Sequence, residues 1–235
     1  RSIWRRAAPI GLAGLLAGGL MAGLAVWKLR TALPPLPAQV TRAVIPMPSD
    51  TQLAGSTSPV LALSPNGSQL AFVAIKGNVQ QIYLRNTDAV EARPVAGTEG
   101  GSDPFFSPDG QWIGFFARNK LRKVAVIGGA ALTVCDVFSG HGGSWGPDDT
   151  IVFSGGVTTP LSRVSAAGGP PEMLTSIKPG EVGHRWPQFL PDGKSILFSI
   201  GTGTNWDDAS IAVKRLDTGE QKVLIRGGTY ARYVP

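Results

Sequence analysis

Four tetrapeptides of one design recur along this chain: Ser64-Pro65-Asn66-Gly67, Ser107-Pro108-Asp109-Gly110, Gly146-Pro147-Asp148-Asp149 and Leu190-Pro191-Asp192-Gly193. Successive prolines lie 43, 39 and 44 residues apart. A period of about 40 residues carrying one β-unit per repeat is the pattern of a propeller. Proline presets φ at the second turn position, Asn or Asp bonds its own backbone, and glycine accepts positive φ, so a strand must reverse at each motif. Asp149 stands where the other copies have glycine, and its unit is the shortest, which predicts a tighter hairpin there. One further step of 44 reaches Pro235, the last residue, and Tyr233-Val234-Pro235 copies Phe189-Leu190-Pro191. A fifth motif cut at its proline is therefore expected.

The rest of each unit keeps the same register. A large residue sits two before each proline (Leu63, Phe106, Trp145, Phe189, Tyr233), where neighbouring units are expected to bury it. A β-prone run follows each turn and ends in Phe72, Phe115, Phe153 or Phe198. Third strands are expected at 80–86, 120–126, 160–166 and 210–216, and fourth strands near Pro94, Val134, Leu174 and Leu224. Four strands per unit, with no helical periodicity after Pro46, predict an all-β propeller of four-stranded blades over 49–235, with four repeats and a truncated fifth.

The first forty-eight residues read differently. Residues 1–6 form a basic stub, and 7–27 are an uncharged run long enough to cross a hydrocarbon core, bracketed by Trp4, Trp27 and basic residues. A retained transmembrane helix is expected there, giving a single-pass membrane protein with an extracytoplasmic, periplasmic propeller. A cleaved signal peptide is the rival, but its apolar region is usually shorter and ends in an A-x-A-like site. Gly14/Gly18 and Gly19/Gly23 are small-xxx-small pairs that could support a helix-mediated dimer. Residues 28–48 are a proline-rich linker, within which 40–45 reads as a strand that could close a ring. With no partner blade for that strand, an open, aggregation-prone arc is expected, its missing blades lying beyond Pro235. The chain begins with Arg1 rather than Met, so an upstream segment is expected too.

Charge excludes one class of partner. The formal net charge is +6, but residues 1–42 hold six basic and no acidic residues, leaving 16 basic against 16 acidic in the β-region. No concentrated basic face remains for nucleic acid. Cys135 is alone, so no intrachain disulfide can form. The sequence calls for no cofactor.

The segments FSPDGQWIGFFA, WGPDDTIVFSG and GHRWPQFLPDGKSILFS resemble the TolB-type, WD-like propeller repeat. The order of basic stub, helix, proline-rich spacer and repeats resembles the extracytoplasmic half of bacterial membrane-anchored serine/threonine protein kinases. That resemblance implies a non-catalytic sensory or interaction propeller, with a kinase domain outside this chain and an unknown protein or small molecule as ligand. Two alternatives are the propeller of a membrane-anchored prolyl-oligopeptidase-like hydrolase, whose catalytic domain would lie downstream, and a periplasmic TolB-like scaffold.

Gly142-Gly143-Ser144-Trp145-Gly146 matches G-x-S-x-G, but that elbow needs a strand-to-helix turn, whereas a turn and the strand IVF follow here. Ser144 is therefore read as blade strand, and no catalytic residue is assigned. His141 and His184 precede their motif prolines where the chain enters the innermost strand. With Asp103, Arg185, Trp186, Tyr230 and Arg232 in the same register, they form a candidate channel-rim site for an anionic small molecule or a peptide terminus. The competing reading has His184 and Arg185 tying blades together. Two histidines without a carboxylate partner make no metal site, and Asp207 and Asp208 read as a solvated turn.

Overall fold

The computed structural model describes residues 46–55, 59–203 and 206–234, together with Gly18, Gly19, Met21, Gly23, Leu24 and Val26. Those six are helical and exposed. Among the described residues no helix is long and apolar enough to cross a membrane. The expected transmembrane helix is thus not seen, and the single-pass membrane localisation built on it is withdrawn. The stub at 1–6, most of the linker, the strand at 40–45 and Gly14 of the dimerisation pairs lie outside the described residues.

The β-region folds as expected into repeated antiparallel sheets. The first contains β1 (Thr51–Leu53), β2 (Leu61–Leu63), β3 (Gln69–Lys76), β4 (Val79–Asn86) and β5 (Arg93–Pro94). The second contains β6 (Ser102–Phe106), β7 (Trp112–Ala117), β8 (Lys120–Ala125) and β9 (Leu132–Asp136). In the third are β10 (Gly143–Trp145), β11 (Thr150–Ser154), β12 (Leu161–Ser165) and β13 (Glu172–Met173). The fourth holds β14 (Gly183–Phe189), β15 (Ser195–Gly201), β16 (Ser210–Arg215) and β17 (Gln221–Arg226). In the last three sheets each strand pairs with the next in sequence, the up-and-down order of a propeller blade. In the first, β4 occupies one whole edge of β3, so β1 and β2 share the other, at Ala74–Lys76 and Leu70–Phe72 respectively. The innermost strands β2, β6, β10 and β14 lie side by side, and among the described residues no strand of the first sheet touches one of the fourth.

The turn motif works as its chemistry requires. Asp109 Oδ1 accepts the Gln111 N–H at 3.0 Å, and Asp192 Oδ1 accepts the Lys194 and Ser195 N–H groups, both at 2.9 Å. Asn66 Oδ1 does the same for Ser68 at 3.1 Å. The following residue is left-handed in every copy: Gly67 (φ 70), Gly110 (φ 70), Gly193 (φ 62) and Asp149 (φ 60). The third copy closes one residue sooner. There Gly146 N–H donates to Thr150 O, whereas Ser107 reaches Trp112 and Leu190 reaches Ser195. Asp149 holds its unusual backbone while its carboxylate accepts the Trp145 indole N–H at 3.1 Å.

Side chains alternate between the two faces of a strand, and each inner sheet is sandwiched. Phe115 faces the first sheet, among Val73, Ile82 and Leu84, while its neighbour Phe116 faces the third, with Trp145, Ile151 and Phe153. Phe198 joins Val152 and Leu161 of the preceding sheet. All four motif phenylalanines are at most 2% exposed. Each contributes roughly 1.5–3 kcal/mol by burial, and Phe115, Phe153 and Phe198 do so between neighbouring sheets. Phe72, with no preceding sheet among the described residues, stacks on Tyr83 at 5.7 Å beside Met47. The expectation for the residues two before each proline holds only inside the stack. Phe106 and Trp145 are buried, but Leu63 is 60% exposed and Tyr233 46%, because no further sheet packs outside them among the described residues.

Candidate functional site

Where the innermost strands converge, the same irregularity recurs at β6, β10 and β14 and in the segment after β17. Five residues before the motif proline, Asp103 (φ 49), Gly142 (φ 90), Trp186 (φ 52) and Tyr230 (φ 54) adopt left-handed backbone. The pairing register slips there in β6, between Ser102 and Phe105, and in β14, between Arg185 and Gln188. Such a bulge bends the strand and re-aims its side chains. Non-glycine residues in this region are uncommon, and three of the four here are not glycine.

The bulges are tied to one another one repeat apart. Trp186 N–H donates to His141 O at 3.1 Å. Phe189 N–H donates to Ser144 Oγ at 3.0 Å, Arg232 Nη1 to Pro187 O at 3.3 Å and Tyr233 N–H to Gln188 Oε1 at 2.8 Å. Ser144 therefore lies in β10 with its hydroxyl engaged by the next blade. Nothing in the sequence pattern pointed to Ser144 and Gln188 as inter-blade links.

The structure gathers most of the expected rim residues, but not His184. That imidazole is fully buried, with Nδ1 2.7 Å from Thr175 Oγ1, Nε2 3.1 Å from Glu181 Oε2, and its ring against Phe198. Arg185, one residue on, faces the opposite way and is 6% exposed. Its guanidinium lies 4.2 Å from the Trp206 ring and donates through Nη2 to Val157 O at 3.3 Å. Burial lowers its pKa, and the nearby charge of Asp103 partly offsets this. Trp186 meets Trp206 and Tyr230 edge-on, at 5.0 and 5.8 Å, and Arg232 lies 4.3 Å over the Tyr230 ring. The result is a ladder of Arg185, Trp206, Trp186, Tyr230 and Arg232. Trp206 was missed in the sequence, although a tryptophan in the otherwise polar loop GTNWDDAS was its signal. In the same loop Asp207 and Asp208 are exposed in a turn, and among the described residues no cluster could hold a metal ion.

A cavity of about 330 Å³ opens beside this ladder, lined on its polar side by Asp103, Ser144, Gln188, Tyr230 and Arg232. Of the two residues first in line from the sequence, His184 and Arg185, neither reaches its wall.

The histidines give the fold a pH dependence. Burial holds His184 below its ordinary value of 6.5 although Glu181 pulls the other way, and burial aided by the Arg185 charge brings His141 down to about 4. A group whose folded pKa lies below its unfolded one binds its proton more readily when unfolded. Stability is then complete above about pH 6.5 and falls as pH drops toward the folded value. The Asp109 and Asp192 carboxyls, held below 3.8 chiefly by the Ser107 and Ser195 hydroxyls, lose their contribution only at still lower pH. The urea midpoint is expected to fall between pH 7 and pH 4.5, and to fall less in His141→Gln. An equal fall in the variant would rule His141 out as its source.

No protein-family model matches the chain. Over 152 residues it is 34% identical to the uncharacterized peptidase YuxL of Bacillus subtilis, a match covering 63% of this chain and 22% of that protein. The chain thus spans about a fifth of its curated relative. Among solved structures it is similar to TolB from Acinetobacter baumannii, with a TM-score of 0.61 at 18% identity over 72% of this chain and 43% of that one. It is also similar to a puromycin-hydrolyzing peptidase from Mycobacterium tuberculosis, with a TM-score of 0.53 at 17% identity over 74% of this chain and 30% of that one. The fold is therefore a TolB-like β-propeller. The reading of the chain as a non-enzyme is corrected, since YuxL, 34% identical to it, is named as a peptidase.

Proposed function

We propose that this chain is the propeller of a prolyl-oligopeptidase-like serine peptidase, in which the blades shape access to the hydrolytic centre. The 34% identity to a protein named as a peptidase carries this reading, and it favours a hydrolase over the receptor-kinase arrangement. The geometry agrees with it. Innermost strands locked by inter-blade bonds build a rigid wall around a cavity with both apolar and charged groups, as a peptide-sized ligand requires. The nucleophile is assigned to the part of the peptidase outside these blades, because Ser144 sits in a strand and binds the Phe189 N–H.

The test is fluorophosphonate labelling of the full-length gene product, together with hydrolysis of aminoacyl p-nitroanilides. Labelling with turnover is expected. A folded full-length protein that neither labels nor hydrolyses would overturn the proposal. Ser144→Ala is expected to leave labelling intact while lowering stability by about 1 kcal/mol through the lost inter-blade bond. Labelling that vanished in Ser144→Ala would place the nucleophile in the blade instead.

A further inference from the structure

We infer that the cavity beside the innermost strands binds the free C-terminal carboxylate of a short peptide, with Arg232 as its charge partner. This rests on the peptidase reading for the nature of the ligand and names the class of substrate end that the blades hold.

Charge decides the sign of the ligand. Two guanidinium groups belong to the ladder at the cavity, but they are not equivalent. Arg185 is buried under Trp206, where the nearby Asp103 charge favours its charged form. Arg232 lies in the cavity wall, and its contacts are neutral: Pro187 O at 3.3 Å and Tyr230 Oη at 3.1 Å. Among the described residues Arg232 forms no ion pair. Asp103, the other charged residue of the wall, is buried and acts on Arg185, so the charge left without an acidic partner at the recess is that of the exposed Arg232, and an anion is the ligand that completes it.

Its neighbours favour a carboxylate on a peptide. Tyr230 stacks under the Arg232 guanidinium at 4.3 Å, which fixes the plane of the fork and so favours a planar, bidentate partner. Ser144 lines the same recess, and its Oγ already accepts the Phe189 N–H, so its own O–H remains to donate. Leu61, Phe105 and Trp145 complete the wall with apolar surface, which suits the side chain of a terminal residue and offers nothing to a bare inorganic anion.

The arrangement is also held in place before any ligand arrives. Arg232 and Tyr233 are bonded to Pro187 and Gln188 of the preceding blade, and Tyr230 N–H donates to Ser199 Oγ at 3.1 Å. A preorganised fork loses little freedom on binding.

Isothermal titration of the full-length protein with N-acetyl-Gly-Phe, with its C-terminal amide and with inorganic phosphate tests the assignment. The free acid is expected to bind roughly tenfold to a hundredfold more tightly than the amide, the range for a hydrogen bond to a charged group, and phosphate to bind less tightly than the acid. Arg232→Gln is expected to remove the acid-over-amide preference, and Arg232→Lys to keep part of it by retaining charge without the fork. Equal binding of acid and amide, no binding of either, phosphate binding as tightly as the peptide acid, or a preference that survives Arg232→Gln would each overturn the inference. If Arg232→Gln melts early, the wild-type ratios and Arg232→Lys still decide. Failed fluorophosphonate labelling would sink the peptidase reading alone, because the acid-to-amide ratio is read without turnover.

Discussion

Phe115→Ala is expected to destabilise the propeller by about 3–5 kcal/mol, the range for deleting a large aromatic side chain from a packed core. Phe115 is fully buried and joins two blades, lying among Val73, Ile82 and Leu84 of the first sheet. The gap cannot close cheaply. The Gly101 backbone passes so near that a Cβ there would lie 3.2 Å from the Phe115 ring, and sheets held by their own ladders cannot slide together to fill the space. Leu63→Ala is the control, since Leu63 is 60% exposed. Its loss is expected to stay within about 0.5 kcal/mol, as for other surface changes. Urea unfolding of both variants settles the matter; similar losses would mean that the motif phenylalanines do not hold the blades together.

Gly142→Ala is expected to cost about 2–4 kcal/mol, for two separable reasons. Its φ of 90° lies where an L side chain is strained, and an added Cβ would sit 2.9 Å from Trp186 Cα and 3.0 Å from Trp186 Cδ1. The contact with Trp186 Cα is the larger concern, because Trp186 N–H is bonded to His141 O and that backbone cannot move away cheaply. Gly128 separates the two effects. It has φ of 102° but open space around its Cβ direction, so Gly128→Ala carries only the backbone strain, about 1–2 kcal/mol. Should the two variants unfold at the same urea concentration, the close approach of neighbouring bulges contributes nothing.

These bulges mark the boundary between what the chain reveals locally and what its folding adds. The turns were legible because each is solved within a few residues: proline fixes φ, Asp or Asn accepts the N–H two residues on, and the next residue goes left-handed. Asp149 shows how far that local chemistry extends, since it takes the glycine conformation and closes its turn one residue sooner. The phenylalanine register was legible for a similar reason. Strand alternation alone sends Phe72, Phe115, Phe153 and Phe198 to one face, whatever lies opposite.

The site was only half legible. The positions at which Asp103, Trp186 and Tyr230 stand are visible as a repeat offset, yet their positive φ is not, because no propensity of Asp, Trp or Tyr demands it. At Trp186 it comes with a bond to the neighbouring blade, from its N–H to His141 O, 45 residues back in the chain. The same limit governs His184 and Arg185. Adjacent on β14, they were equally eligible for the channel, and tertiary packing sent His184 to Thr175 and Glu181 and Arg185 under Trp206. The reading of 7–27 as a membrane helix rested on apolar length and flanking charge alone, and among the described residues no such helix stands. What the sequence by itself determined is therefore the repeat, its turns and the strands between them, because those follow from backbone chemistry over a few residues. Which side chains face the cavity, which charges are left unmet and which backbones are strained were decided only by tertiary structure, since each depends on packing and bonds that form only when the strands and loops come together.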